Sequence, residues 1–282
     1  MSLTSDRGSV AVVLGTRPEV VKLAGLIQLL GPRCRLIHTG QHYDDRLAQG
    51  LLEEFEVVPP HVSLTVGGTS RGRQVAETLL VLDDLFERER PDVVVVQGDT
   101  NSTLGGALAA NAHAIPLVHI EAGMRSFDRR MAEEHNRILT DHASDVCCAP
   151  TEANAANLVR EGIPAVRIAV TGHTVVAAVE ERLPDEDDRA EILLDYGLEP
   201  SAYAVATFHR AENVDDPDHL DQILAALGKV DVPVVLPLHP RTRRRVEEFG
   251  LGARLDPLVL VEPLDYATFL ALCAESALLI TD

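Results

Sequence analysis

Asp99 and Glu121 each follow a short apolar run, and Glu133 opens a helical stretch behind a basic loop holding Arg125, Arg129 and Arg130. Carboxylates that converge raise one another's proton affinity, the arrangement that general acid and base work requires. Taken singly, these residues have plainer uses. Asp99 heads an Asp-Thr-Asn-Ser stretch suited to capping a helix, and Glu134 with Arg137 has the spacing of a helix-surface pair. As a trio, the acids point to proton transfer.

A second group suits phosphate. Gly15-Thr16-Arg17-Pro18 follows an apolar run and opens a helix, with Lys22 a turn further on. Glycine permits the tight turn, proline suits the first helical position, and the helix N-terminus attracts anions. Arg17 adds a bidentate donor. The pattern is neither G-x-G-x-x-G nor a Walker loop, so NAD and ATP gain no support from it, and no cofactor is expected. His209, with Arg210 beside it, could donate to a phosphate or a leaving-group oxygen. His135 and His142 share a helix without a third ligand at a suitable spacing, so no metal is expected.

The elements that must position these groups alternate in type. Apolar, β-branched runs at Val10–Leu14, Arg35–Thr39, Asp92–Gln97, Pro116–Ile120, Asp145–Ala149 and Arg167–Val170 read as strands. Near-continuous apolarity, as in Val93–Val96, marks a strand covered on both faces and hence a parallel sheet between helix layers. Amphipathic stretches such as Val20–Leu30, Gln74–Arg88 and Glu133–His142 separate them. A second alternation places strands at Ala204–Phe208, Pro233–Leu236, Leu258–Val261 and Ala277–Thr281, with helices at His219–Gly228, Thr242–Phe249 and Tyr266–Glu275. The reading is α/β: two Rossmann-like, doubly wound parallel-sheet domains facing a central cleft, residues 1–172 and 173–282. The acidic stretch Leu183–Arg189 cannot belong to a buried sheet and lies just past the boundary, near Thr171–His173. Ligands of such sheets sit beyond the strand ends, which singles out Gln41 and His42, Asp99, Glu121, the His209-Arg210-Ala211-Glu212-Asn213 stretch, and His239.

Composition narrows the function classes. The 282 residues are 46% hydrophobic with no apolar run near the roughly 18 residues of a membrane span. The polar start, Met1 to Gly8, does not look like a secretory signal. Four cysteines without metal spacing suit a reducing cytoplasm. Lys+Arg is 25 against Asp+Glu 44, a formal net charge of −19, so the chain repels nucleic acid. Lys22 and Lys229 are its two lysines. A GC-rich genome would explain the missing lysine but not the surplus acid, which suits a salty cytoplasm.

Several segments resemble the non-hydrolysing UDP-N-acetylglucosamine 2-epimerases: Gly15-Thr16-Arg17-Pro18-Glu19 with Lys22, Gln97-Gly98-Asp99-Thr100, and His119-Ile120-Glu121-Ala122-Gly123-Met124-Arg125. So do Met131-Ala132-Glu133-Glu134-His135-Asn136-Arg137, Thr171-Gly172-His173-Thr174 and His209-Arg210-Ala211-Glu212-Asn213, all in register from Val10 to Asp282. The resemblance implies a GT-B-like fold, a homodimer formed through the first domain, and a reaction without NAD. In that reaction UDP-GlcNAc loses UDP to give 2-acetamidoglucal, and UDP adds back after protonation on the other face to give UDP-ManNAc. It further implies that Arg17 and Lys22 stabilise phosphate and that Asp99, Glu121 and Glu133 manage the C2 proton and the sugar hydroxyls. His209 would assist departure of UDP, and Phe269 would lie against uracil. Gln41, His42, Arg137, Arg210, Asn213 and His239 complete the expected substrate-binding set. The chain departs from the family at Ala132, where proline is usual. The family also continues past Thr281-Asp282 with a Ser-Gly-Gly phosphate loop, so the second domain is expected to be incomplete. The dimer surface is expected on the layer between Gln74 and Arg90 and on the next helix, where Ala107, Leu108, Ala109 and Ala110 supply apolar area.

The net charge carries a stability prediction. Self-repulsion should weaken the fold at low ionic strength, and screening should relieve it, since the Debye length falls to about 3 Å at 1 M salt. The melting temperature should climb steeply into molar KCl. A curve flat above about 0.2 M would favour codon bias over salt adaptation as the origin of the composition.

Overall fold

In the computed structural model, residues 8–41, 50, 52–262 and 264–282 are described, and they divide into two compact units, Met1–Ala178 and Val179–Asp282. The N-terminal unit carries seven parallel strands in the order β3-β2-β1-β4-β5-β6-β7. These are β1 (Val10–Leu14), β2 (Cys34–His38), β3 (Val62–Ser63), β4 (Val93–Gln97), β5 (Leu117–Ile120), β6 (Val146–Ala149) and β7 (Ile168–Val170). Val12, Val13, Leu14, Val94 and Val96 are fully or almost fully buried, as expected for valine-rich strands covered by helices on both faces.

The helices of this unit include α1 (Arg17–Leu30), α2 (Arg71–Arg88), α3 (Asn101–Ala112), α4 (Ala132–Ala143) and α5 (Glu152–Arg160), and α6 (Thr174–Arg182) begins in it. Thr100 caps α3, its side chain accepting from the Thr103 N–H, so the cap is the residue after Asp99 rather than Asp99 itself. Gly105 lets α3 lie close against α2: a Cβ there would stand 2.7 Å from the Cβ of Thr78. Leu82 and Phe86 of α2 and Ala107, Ala109 and Ala110 of α3 enter one core with Val13, Val94, Val96 and Leu117. Of the four residues expected to supply spare apolar surface, three are therefore spent on the sheet, and Leu108 remains 39% exposed.

The C-terminal unit holds a four-stranded parallel sheet in the order β10-β9-β8-β11. Its strands are β8 (Ala204–Thr207), β9 (Val234–Pro237), β10 (Val259–Val261) and β11 (Leu278–Thr281). Around them lie α7 (Glu186–Asp195), α8 (Ala211–Val214), α9 (Pro217–Leu227), α10 (Pro240–Glu248) and α11 (Tyr266–Ala274). Leu220, Leu224 and Leu227 of α9 pack with Ala204, Ala206, Val234 and Leu236 of the sheet.

Every strand expected from the sequence is present, most of them a residue shorter at the start. The two-residue β3 is additional, too short to show a period. The acidic stretch before Arg189 begins a helix: Asp185 accepts from the Asp188 N–H, and Glu186, Asp187 and Asp188 fill the first turn, where the helix dipole favours negative charge. Among the described residues, no helix is long and apolar enough to cross a membrane, and no group of three or more His, Cys, Asp or Glu residues could hold a metal ion.

Candidate active site

Sequence order along the first sheet reverses between β1 and β4, which are hydrogen-bonded neighbours. The chain therefore leaves these two strands in opposite lateral directions, and a crevice opens beyond their carboxyl ends. A cavity of about 510 Å³ lies there. Its lining includes Lys22, Gln41, Asp99, Glu121, Glu133 and Arg137, six of the residues expected from the sequence. Arg17 is not among the lining residues; it opens α1 and is half-buried. His42 lies outside the described residues.

Glu121 is the most constrained of the acids. It follows β5 directly with φ 67°, a left-handed conformation that an L-residue adopts at a cost of about 1–2 kcal/mol. Its side chain is 4% exposed and is met from three sides. Lys22 Nζ lies 2.9 Å from Oε1 and 2.8 Å from Oε2, His173 Nε2 lies 2.8 Å from Oε1, and the Gln97 amide donates to Oε2. His173 Nδ1 accepts the Val175 N–H at 3.3 Å, so Nε2 carries the hydrogen that goes to Glu121.

Asp99 sits one strand away and pairs with the Arg137 guanidinium. Arg137 also reaches Glu134 Oε2 at 3.1 Å, and this pair, expected on the helix surface, is buried: the side chains are 12% and 2% exposed. Glu134 is held below the ordinary carboxylate range. Burial alone would raise it, but the N–H and hydroxyl of Ser126, the Phe127 N–H and Arg137 outweigh that. Asn136 donates to the Asp99 carbonyl at 2.8 Å and accepts from Arg71 Nη2 at 2.8 Å, tying α4 and the start of α2 to the turn after β4. Glu133 is exposed and faces the same cavity. Asp99 and Glu121 thus each pair with a cation, Arg137 and Lys22, rather than with each other.

The carboxyl pushed upward is Glu19. It is 2% exposed and accepts the Gly15 and Thr16 N–H groups at 2.9 and 2.8 Å, with the Thr100 hydroxyl on its other oxygen at 3.0 Å. Burial raises its proton affinity, and the bonds from Gly15, Thr16 and Thr100 only partly offset that. Gln41 is held in turn by Ser102, whose N–H and hydroxyl reach its Oε1 at 2.9 and 2.8 Å.

The second sheet repeats the device. Its order reverses between β8 and β11, and His209, Arg210 and Asn213 follow β8 there. Asp282 Oδ2 accepts the His209 N–H at 3.0 Å, the Arg210 N–H at 2.9 Å and the Asn213 amide at 2.9 Å. These bonds overcome burial and hold Asp282 below the ordinary carboxylate range. The His209 and His239 rings stack with centroids 5.2 Å apart. Phe269, half-buried on α11, packs against the core around Tyr203, Val235 and Leu272.

Four residues escaped the sequence selection: Arg71, Gln97, Asn136 and His173. His173 lies in the short turn after β7, behind Thr171 and Gly172, so the strand-end rule applied to that strand would have found it. Arg71 and Asn136 join their partners across long stretches of sequence and leave no local signal.

A family model described as UDP-N-acetylglucosamine 2-epimerase matches residues 31–282. The chain is similar to the UDP-N-acetylglucosamine 2-epimerase of Methanococcus maripaludis, 38% identical over 283 residues that cover 97% of this chain and 77% of the relative. Among solved structures it is similar to the Methanocaldococcus jannaschii UDP-GlcNAc 2-epimerase in complex with UDP-GlcNAc and UDP. That match has 37% identity and a TM-score of 0.83, and covers 97% of this chain and 78% of the other. The Neisseria meningitidis UDP-GlcNAc 2-epimerase bound to UDP-GlcNAc aligns with 30% identity and a TM-score of 0.84, over 97% and 77%.

The Glu19 carboxyl gives the site a measurable pH signature. A value raised in the folded state means that the native protein holds the proton more tightly than the unfolded chain. The stability this gives is complete below the unfolded value of 4.5 and is lost as pH rises through the higher folded value. Glu19→Gln removes that loss, since a glutamine carbonyl can still face Gly15 and Thr16 while its amide faces the threonine hydroxyls. The difference in unfolding free energy should therefore move in the variant's favour as pH rises above 4.5. A difference independent of pH in denaturant titrations would contradict the raised carboxyl.

Proposed function

The chain belongs to the UDP-N-acetylglucosamine 2-epimerase family, and on that premise we propose that it is an isomerase interconverting UDP-GlcNAc and UDP-ManNAc. The observation that carries this reading is the opening of Asp99, Glu121 and Glu133 into one cavity at a sheet switch point. Epimerisation at C2 needs groups that take a proton from one face and return one to the other, and it needs a stable way to break and remake the bond to UDP. One carboxylate removes the C2 proton while UDP leaves C1, and the C–H electron pair becomes the C1–C2 double bond of 2-acetamidoglucal. A second acid then protonates the opposite face of C2 as UDP returns to C1. Arg17 and Lys22 stabilise the phosphates. The Lys22 ammonium has three N–H donors, and two of them satisfy Glu121. His209 assists departure of UDP, Phe269 supports the uracil, and Gln41, His42, Arg137, Arg210, Asn213 and His239 bind the remaining polar groups.

Incubation with UDP-GlcNAc alone in D2O tests the reaction. The epimer should form with deuterium at C2; transfer of the sugar to an acceptor without epimer would overturn the reading. Asp99→Asn, Glu121→Gln and Glu133→Gln should each keep UDP binding and lose about 10²–10⁴-fold in turnover. Near-normal kcat in all three would remove the acid–base assignment.

The protein is further proposed to act as a cytoplasmic homodimer. Cys34, Cys147, Cys148 and Cys273 are free thiols, and burial pushes Cys147 up to about 12, where it is inert at neutral pH. Leu80 and Val81 of α2, Leu108 of α3 and Leu139 of α4 are exposed apolar residues on consecutive helices of the N-terminal unit. They support a subunit contact there. Light scattering should give twice the chain mass, and Leu80→Glu with Leu139→Glu should give a monomer; a wild-type monomer would remove the dimer.

A further inference from the structure

The most deeply buried charges of the N-terminal unit take no part in the proposed chemistry. The side chains of His119 and Asp141 are fully buried, and that of Arg125 is 1% exposed. Ionised groups in such a place cost several kcal/mol each in lost hydration, and apolar residues of the same size would serve the core as well or better. What these residues hold gives them a use.

His119 stands on β5 and faces two acceptors. Its Nε2 lies 2.7 Å from the carbonyl oxygen of Gly98, and its Nδ1 lies 2.7 Å from Asp141 Oδ1. A peptide carbonyl can only accept. Asp141 on α4 is likewise committed: Arg125 Nη2 lies 2.7 Å from Oδ2, and the Gly123 N–H donates to the same oxygen at 3.2 Å. Burial alone would raise the Asp141 carboxyl, but the hydrogen bond and charge of His119 and the charge of Arg125 hold it below the ordinary range. A neutral imidazole owns one N–H and would turn a lone pair toward either a carbonyl or a carboxylate.

Both ends of this chain of bonds grip turns that carry acids. Gly98, with φ 71°, leads into Asp99, and Gly123, with φ 79°, closes the turn that Glu121 begins. The sheet ladder ends just before them, with the Gly98 N–H donating to Ile120 O at 2.9 Å. Past that bond, the run from Gly98 O through His119 and Asp141 to the Gly123 N–H joins the two turns. Charges around the ring come from Asp141 and Arg125, and from Glu161 after α5, which Arg125 Nη2 meets at 2.6 Å. Cys147 of β6 donates its thiol to the Asp141 carbonyl.

We infer that His119 donates from both ring nitrogens, to Gly98 O and to Asp141, and that these two bonds fix the spacing between the Asp99 and Glu121 turns, making it a positioning residue for both acids. Its effect on catalysis rests on the epimerase reading; its protonation state does not.

Two measurements on this chain separate these points. The first is long-range 1H–15N NMR of histidine-labelled wild type. Of the eleven histidines of this chain, one should carry protons on both ring nitrogens at neutral pH. A single ring proton on every histidine overturns the inference, whatever the enzyme's activity. The second is steady-state kinetics of His119→Gln, which can satisfy one end of the chain but not both. A displacement of about 1 Å between catalytic groups costs on the order of 10²-fold, so kcat should fall by about that factor with KM within about threefold. A folded His119→Gln protein with wild-type kcat overturns the positioning role. If the variant does not fold, the NMR result decides alone, and if wild type lacks epimerase activity, the function fails while the imidazolium is still judged.

Discussion

Glu121 is bonded by groups that come from separate parts of the chain: Lys22 from α1, Gln97 from the end of β4, and His173 from the start of α6. Two carboxylate oxygens offer about four acceptor sites, and Lys22 uses one on each oxygen while His173 and Gln97 use the others. This saturation offsets the cost of the left-handed backbone at Glu121 and of a carboxylate that is 4% exposed. Removing any one donor would free a lone pair in a nearly dry place. The end of β5, the first turns of α1 and the entry to α6 are therefore positioned together.

That convergence depends on sheet topology. β5 lies between β4 and β6, and β4 lies beside β1, so the ends of β1, β4 and β5 are laterally adjacent though far apart in sequence. Lys22 and Glu121 meet because α1 departs from the end of β1 and lies on the sheet next to the same switch point. The second unit shows the same logic with different groups. There Asp282, after β11, binds the backbone of His209 and Arg210, after β8, across the reversal of strand order. In the first unit Glu121 gathers its donors one strand from the reversal, and in the second Asp282 gathers them at it.

These strand ends are what the sequence displayed most clearly. Buried parallel strands are continuous apolar runs, and Val93–Val96 or Ala204–Thr207 cannot be mistaken for a surface helix. The helices Glu152–Arg160, Thr174–Arg182 and Glu186–Asp195 were not legible, because their polar faces dominate short segments and the acids of the last resemble a linker. Asp99, Glu121 and Gln41 were legible as polar residues following such runs. Their partners were less so: Arg137 with Asp99 and Lys22 with Glu121 are pairings made by the fold, and nothing local to either residue announces them. The burial that raises Glu19 also arises only when α1 folds onto the sheet.

Charge is the last constraint to reconcile. A chain with a formal charge of −19 repels a nucleoside diphosphate at long range, yet the proposed substrate is such an anion. The repulsion is spread over the surface and screened beyond about 8 Å at physiological ionic strength. Inside the cavity the balance differs. Lys22 is matched by Glu121 and Arg137 by Asp99 and Glu134, whereas Arg71 bonds the neutral oxygens of Ala132 and Asn136. The N-terminus of α1 adds partial positive charge beside Lys22. The wall a phosphate would meet sets the cations Lys22, Arg71 and Arg137 among the acids Glu19, Asp99, Glu121 and Glu133. Global charge then governs how fast an anion arrives and how strongly salt affects that rate. The local arrangement of Lys22, Arg71, Arg137 and the helix end governs how well it is held.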